Sequence, residues 1–290
     1  MYSFLFKPIV KELIWGSESW DISCREGDMS VIENGKLAGM PFIDAINSDR
    51  ETYLGQNFKD DEVFPLLVKI IDAKLNLSIQ VHPDDADAQR IENEPNGKSE
   101  SWYIIDPGLG YLIIGLKDGV TKASLRAALN DGTAEDCFAK LEVKEGDIID
   151  ISAGLVHAIT GGVKLLEIQQ NSDTTYRVFD YNRKGLDGKP RELHVEKALD
   201  VINFNSEPRE NTYFTYERLN VEDNFKQKTD GGTFFIYTCV KGSAEFVSGD
   251  EKTVVSCNRS VFVPAALGEF VIKNTGGEAA SLIKTIPHKV

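Results

Sequence analysis

The chain has 290 residues, with 32 Lys plus Arg against 46 Asp plus Glu, a formal charge of −14. Hydrophobic residues make up 41% and charged residues 27%, which excludes a disordered chain and leaves room for one large domain or two small ones. So acidic a chain lacks the basic footprint that nucleic acid or an anionic membrane requires, and no apolar run reaches the ~18 residues of a bilayer span.

The opening segment MYSFLFKPIVKELIWG has no uninterrupted apolar stretch with a small-residue cleavage site, so no signal peptide is expected. Short Ile-, Val- and Leu-rich runs follow: VFPLLVKIIDA, LSIQVHP, WYIID, GYLIIGL, GDIIDIS and VKLLEIQQ. They read as closely spaced strands separated by turns, a sandwich or barrel rather than an alternating βαβ fold. Pro83-Asp84-Asp85-Ala86 opens a helix, with Asp84 and Asp85 placed where a helix N-terminus favours negative charge. Thr121 to Leu141 predicts two short helices broken at Gly132. Arg191 to Val201 predicts a third helix, after the turn-rich Lys184 to Pro190.

A boundary is placed there, with residues 1–190 forming a catalytic lobe with helical additions. Residues 191–290 are then a linker helix and a second, smaller β-lobe. GDIIDISAGLVHAI and NRSVFVPAALGEFVI are loosely alike, which hints at duplicated architecture. No glycine-rich nucleotide loop is present, and Gly161-Gly162 reads as a turn. Cys24, Cys137, Cys239 and Cys257 form no CxxC pair, so neither a disulfide framework nor a thiolate zinc site is expected, and a reduced, cytoplasmic protein is.

Chemistry concentrates at Ser78-Ile79-Gln80-Val81-His82-Pro83. Strand alternation puts Ser78, Gln80 and His82 on one face, which must be solvated, hydrogen-bonded or metal-bound. His157 follows another strand and a Gly-bearing turn, and only four histidines exist in the chain. Gln80, His82 and His157 supply three zinc-type ligands, and Glu100, just before the apolar run from Trp102 to Ile105, is the natural carboxylate. The same residues also read as two satisfied core histidines. Trp15, Trp20 and Trp102 read as core or pocket wall, and His194 and His288 as surface histidines.

FPLLVKIIDAKLNLSIQVHPDD, GKSESWYIID, AGLVHAI and LLEIQQNSDTTYRVFDYN, with IWG at 14–16 and ESWDIS at 18–23, occur in one order over the first ~190 residues. Together they resemble the type I mannose-6-phosphate isomerases, in particular the short, bacterial-style branch of that cupin family. The resemblance implies a mainly β fold of two cupin-type β-barrel (jelly-roll) lobes with short helical insertions. It also implies one Zn²⁺ per chain on Gln80, His82, Glu100 and His157. The implied reaction interconverts mannose 6-phosphate and fructose 6-phosphate, moving a proton between C1 and C2 through a cis-enediol.

By the same resemblance Arg177, in SDTTYRVFD, and Lys98 are active-site cations for the anionic substrate, with Arg177 serving to bind the phosphate or to stabilise the enediolate; their plain readings are a surface ion pair and a solvated loop lysine. Glu167 shares a strand face with Val163, Leu165 and Gln169, which suits either the proton-shuttling base or a structural carboxylate paired to Lys98 or Arg177. The family pattern is broken at Gly97, where longer members carry a histidine, and at Ser99 and Ser152, where prolines are usual. The second lobe keeps Pro264 but has Glu269 where a cupin carries its histidine, so it is expected to bind no metal. A sugar-phosphate substrate, no nucleic-acid or membrane partner, and a monomer or weak homodimer complete the expectations. The rivals are a non-catalytic sugar- or sugar-phosphate-binding cupin and an iron-dependent cupin oxygenase.

Overall fold

The six runs read as strands pair as strands: Leu66–Ala73, Ile79–Val81, Glu100–Asp106, Leu112–Leu116, Ile148–Ile151 and Lys164–Gln170. These are seen in a computed structural model that describes residues 1–185, 188–205 and 208–290. Strands account for 42% of the chain and helices for 15%, so the mainly β expectation holds.

The chain divides into two compact units, each discontinuous in sequence. One comprises Val10–Ser19 and Lys69–Asn211, the other Met1–Ile9, Trp20–Val68 and Thr212–Val290. This differs from a single cut at residue 190. The N-terminal strand Phe4–Leu5 pairs with Arg259–Val263, Phe4 opposite Phe262, so the start of the chain belongs with its end. The helix before residue 202 belongs to the other unit.

In the unit around residues 69–211, two antiparallel sheets supply the walls. One has the order Phe138–Leu141, Leu112–Leu116, His157–Ile159, Ile79–Val81, Tyr176–Phe179. The other runs Ile148–Ile151, Glu100–Asp106, Lys164–Gln170, Leu66–Ala73, Gly16–Ile22, Ile9–Leu13. Trp102, Ile104, Leu112, Ile159 and Leu165 are buried in one cluster of this unit. Gly16 has φ +145°, and a Cβ there would lie 2.1 Å from the Asp72 carbonyl oxygen, which only glycine accommodates.

The helix at Asp85–Glu92 forms as predicted, with the Asp84 carboxylate accepting from Asp87 N–H as its N-cap. Thr121 caps the helix Lys122–Asp131 through a capping box with Ser124, and Gly132 ends it at φ 83°. The expected second helix there is a 3₁₀ turn, Ala134–Cys137, followed by the strand Phe138–Leu141, which pairs with Leu112–Leu116. The third expected helix is shorter than Arg191–Val201 and begins only at Val195. Its first four residues lie outside the helix, where His194 and Glu192 bond Arg177, as described below.

The other unit repeats the two-sheet plan with five and four strands. Tyr237, Phe246, Phe270 and their neighbours fill one cluster between strands, and Phe4, Phe42, Phe64, Phe234 and Phe262 pack ring against ring in another. The helices Phe42–Ser48 and Arg50–Leu54, for which the sequence reading made no provision, belong to this unit. No helix among the described residues is long and apolar enough to cross a membrane.

Candidate metal centre and active site

Strand register builds the site. His157 is directly opposite Gln80, and Arg177 is opposite Gln80 on its other side, so three neighbouring strands of one sheet aim these side chains together. From the other sheet comes Glu100, which is opposite Gln169. His82, Glu100 and His157 are fully buried, and their ligand-type atoms all lie within 4.8 Å of one another. The His157 Nε2 to Glu100 Oε1 distance is 3.3 Å, and His82 Nε2 to Glu100 Oε2 is 3.7 Å. Gln80 Nε2 lies 3.3 Å from His157 Nε2, and a half-turn of that amide puts its oxygen in the same place.

The hydrogen bonds behind the two rings decide how they face. His82 Nδ1 is 2.9 Å from the Thr174 carbonyl and His157 Nδ1 is 2.8 Å from the Leu155 carbonyl. A carbonyl can only accept, so each Nδ1 carries the proton and each Nε2 presents a bare lone pair to the cluster. Burial first, and then the nearby Lys98 charge, holds His82 far below its ordinary pKa. Burial likewise pushes His157 down to about 4, against its bond to Leu155. Both rings are therefore neutral at neutral pH. His82 Nε2 and Glu100 Oε1 find no hydrogen-bond partner although both are buried. Two neutral imidazoles, a carboxylate and buried atoms without partners are a donor set that fits a divalent cation such as zinc.

Beside this cluster runs an alternating row of charges. Lys98 Nζ is 2.9 Å from Glu100 and 3.9 Å from Glu167; Lys69 Nζ is 3.1 Å from Glu167 and 3.9 Å from Glu18. The buried Trp102 indole donates to Glu167 at 3.0 Å, and its ring meets His157 edge-on. Burial penalises the Glu167 carboxylate, but Lys69 and then Lys98 outweigh it and hold Glu167 down near 2. Glu100 is shifted the other way, by burial and then by repulsion from Glu167. For Lys98, burial is overcome by Glu100 and Glu167, and its pKa rises.

A cavity of about 310 Å³ opens onto these groups, lined among others by Gln80, Lys98, Glu167, Arg177 and Arg191. The loop carrying Lys98 is fixed from below. Lys98 N–H donates to the Pro83 carbonyl, and Asp85 accepts from Gly97 N–H and from the Gln170 amide. Asp85 thus does more than start a helix: it ties the Lys98 loop to the Gln170 strand. At Gly97 a Cβ would lie 2.3 Å from the Asp84 backbone, so the position has no room for a histidine.

The structure brings together every residue singled out from the sequence: Gln80, His82, Lys98, Glu100, His157, Glu167 and Arg177. It adds Lys69, whose signal was a lone lysine inside the apolar run LLVKIIDA, a position that only an internal partner allows. It also adds Glu18, Asp180 and Arg191, and it moves His194 from the surface to the backbone of Arg177. Glu269, in the other unit, is exposed at the start of its strand.

The comparisons with known proteins agree with this geometry. Residues 6–106 match the profile of the phosphomannose isomerase type I catalytic domain, and residues 206–283 that of the mannose-6-phosphate isomerase cupin domain. The chain is 33% identical to the mannose-6-phosphate isomerase ManA of Bacillus subtilis, over 92% of this chain and 95% of that one. It is 41% identical to the mannose-6-phosphate isomerase of Streptococcus mutans over a shorter stretch, 64% and 57% of the two chains. A crystal structure of the mannose 6-phosphate isomerase from Bacillus subtilis superposes with a TM-score of 0.89 at 28% identity, covering 98% of this chain and 99% of the other. A variant of the Salmonella typhimurium phosphomannose isomerase shares the fold at a TM-score of 0.75 and 16% identity, over 99% and 100% of the chains. With this coverage the cupin architecture expected from the motifs is established, and the chain belongs to the type I mannose-6-phosphate isomerase family.

Proposed function

We propose that the unit around residues 69–211 is a metal-dependent aldose–ketose isomerase acting on mannose 6-phosphate and fructose 6-phosphate in the cytoplasm. The observation that carries this reading is the buried set His82, Glu100 and His157, with two inward-facing Nε2 lone pairs, behind Gln80 and Lys98, which touch the set and line a cavity together with Lys69, Arg177 and Arg191. Gln80, His82, Glu100 and His157 would hold one Zn²⁺ per chain. A divalent cation there supplies Lewis-acid stabilisation of negative charge developing on the sugar oxygens.

The protein's own groups then have defined tasks. Lys98, buried and aimed by the Asp85–Gln170 tie, presents its ammonium to the sugar oxygens and to Glu167. Glu167, kept ionised, takes the proton from one carbon and returns it to the neighbouring one through a cis-enediol. Arg177 binds the anionic substrate. The apolar walls from Trp15, Ile71 and Leu77 limit water around the intermediate.

For Glu167 one observation favours a second role. A carboxylate paired with Lys69 at 3.1 Å and hydrogen-bonded to Trp102 is a weak base and a good anchor for two lysines. The coupled assay for fructose 6-phosphate formed from mannose 6-phosphate tests both levels. Wild-type turnover is expected, with Glu167→Gln losing at least about 10²-fold in kcat while keeping its metal, as removal of a general base does. A Glu167→Gln protein at full turnover removes the base assignment and leaves the anchor. A folded, metal-loaded wild type without turnover favours the sugar-phosphate-binding cupin instead.

A further inference from the structure

The acidic chain carries, at one side of the cavity, three arginines around a single carboxylate. Asp180 is buried and accepts from Arg191 through Nε at 2.7 Å and Nη2 at 2.6 Å. It also accepts from Arg183 through Nε at 2.8 Å and Nη2 at 2.7 Å. Burial works against the Asp180 carboxylate, but the hydrogen bonds from Arg191 and Arg183 outweigh it and lower its pKa. Arg177 makes no ion pair among the described residues. Its Nη1 donates to the Glu192 carbonyl at 2.8 Å and its Nε to Ser78 Oγ at 3.3 Å.

The segment that brings Arg191 here is the one that failed to become helix. Arg177 N–H donates to His194 Nδ1 at 3.1 Å, and His194 N–H donates to the Arg177 carbonyl at 2.8 Å. Together with the Glu192 carbonyl, these bonds lay residues 192–194 along Arg177. Arg177 and Arg191 both line the cavity, and Arg191 lowers the Arg177 pKa, after burial itself. Each guanidinium has two nitrogens fixed by the protein and one terminal nitrogen, Nη2 of Arg177 and Nη1 of Arg191, without a partner among the described residues. The two lysines in the same cavity are matched by Glu18, Glu100 and Glu167. Asp180, and at longer range Glu192, are the carboxylates that act on Arg177 against the three guanidiniums, so the arginine group keeps a net positive charge and, through Arg177 and Arg191, gives the cavity a cationic end. Asp173, which also lines the cavity, is exposed.

We propose that Arg191, oriented by Asp180, joins Arg177 in a two-arginine subsite for the substrate's phosphate and is a specificity-determining residue for phosphorylated over free sugars. This rests on the sugar-phosphate reading above. Two pre-oriented guanidinium forks meet a tetrahedral anion from two directions, and neither must be ordered on binding.

The test uses Arg191→Met and Arg191→Lys in the metal-loaded protein, with inorganic phosphate and mannose 6-phosphate as probes. Calorimetric titration with inorganic phosphate is expected to show Arg191→Met binding about 10- to 100-fold more weakly than wild type, with Arg191→Lys between them. In turnover, the KM for mannose 6-phosphate rises by a similar factor with kcat little changed. The kcat/KM preference for mannose 6-phosphate over mannose falls with it. Unchanged phosphate affinity in a folded Arg191→Met protein of wild-type activity overturns the Arg191 assignment while leaving the isomerase reading intact. An equal loss on mannose and mannose 6-phosphate overturns it too, because that is the signature of a structural role. Phosphate binding that depends on Arg191 in a wild type without isomerase turnover overturns the isomerase reading instead.

Discussion

The two units share a plan of paired antiparallel sheets but fill it differently. In the unit around residues 69–211, the space by the sheets holds Lys69, Lys98, Glu100, Glu167, His82 and His157, every one of them buried. In the other unit the comparable space holds Tyr237, Phe246 and Phe270, with Phe4, Phe42, Phe234 and Phe262 in a second cluster. Aromatic rings stabilise by removing apolar area from water, whereas buried charges cost free energy unless each has a partner. Four such charges beside two buried neutral imidazoles are therefore a feature that folding alone does not explain, and they mark where chemistry is done.

The comparison breaks most sharply if the site's ligands prove dispensable. Replacing His157 or His82 by Gln is expected to remove the metal, read by elemental analysis, and to lower kcat/KM by about 10³-fold or more. By contrast, Phe262→Ala in the aromatic cluster is expected to cost about 3–5 kcal/mol in denaturant unfolding. It should leave metal stoichiometry and KM as they are.

Truncation should behave differently among the charges. Lys69→Met leaves Glu167 buried with Lys98 at 3.9 Å as its remaining cation, at an expected cost of about 3–5 kcal/mol. Adding Glu167→Gln to Lys69→Met should recover part of that stability, a coupling that a double-mutant cycle measures directly. No such recovery is expected from any pair of ring truncations in the other unit.

Smaller still is the effect of pH on two buried aspartates. Asp21, in the aromatic unit, is pushed up to about 6 by burial, against Arg259 at 3.8 Å and the Ser260 N–H. Its folded pKa lies above its unfolded value, so its contribution is complete below about pH 4 and is lost as pH rises through 6. Wild type should therefore lose up to about 3 kcal/mol relative to Asp21→Asn between pH 4 and pH 8. Asp180 has the opposite sign: its pKa is depressed, so its contribution is present at neutral pH and disappears as pH falls through the folded value. Urea unfolding of each Asn variant against wild type across pH reads both slopes.

Much of the site could be read from the chain because it obeys strand alternation. Ser78, Gln80 and His82 share a face, and the structure uses all three, on Arg177, His157 and Glu100 respectively. Glu167 stood out as a carboxylate on an apolar face, but which cation it meets depends on strand order: of the two expected partners Lys98 lies 3.9 Å away and Arg177 forms no pair with it, and the nearer cation is Lys69 at 3.1 Å. Arg191 and His194 lie in a stretch with helical patterning. There the backbone and imidazole of His194 bond Arg177, so the helix starts four residues later than the pattern suggested. A tertiary hydrogen bond outweighed a local preference. The division into units escaped the sequence for a similar reason: Phe4 carries no mark that its partner is Phe262.

The most direct test of the central claim is turnover of mannose 6-phosphate by protein stripped with chelator, before and after one equivalent of zinc is returned. Silence in the stripped protein and activity restored by zinc is the predicted result, with the same addition failing to restore a Glu100→Gln variant. Full turnover by the stripped protein, or restoration of the Glu100→Gln variant to wild-type rate, would contradict a catalytic cation at His82, Glu100 and His157.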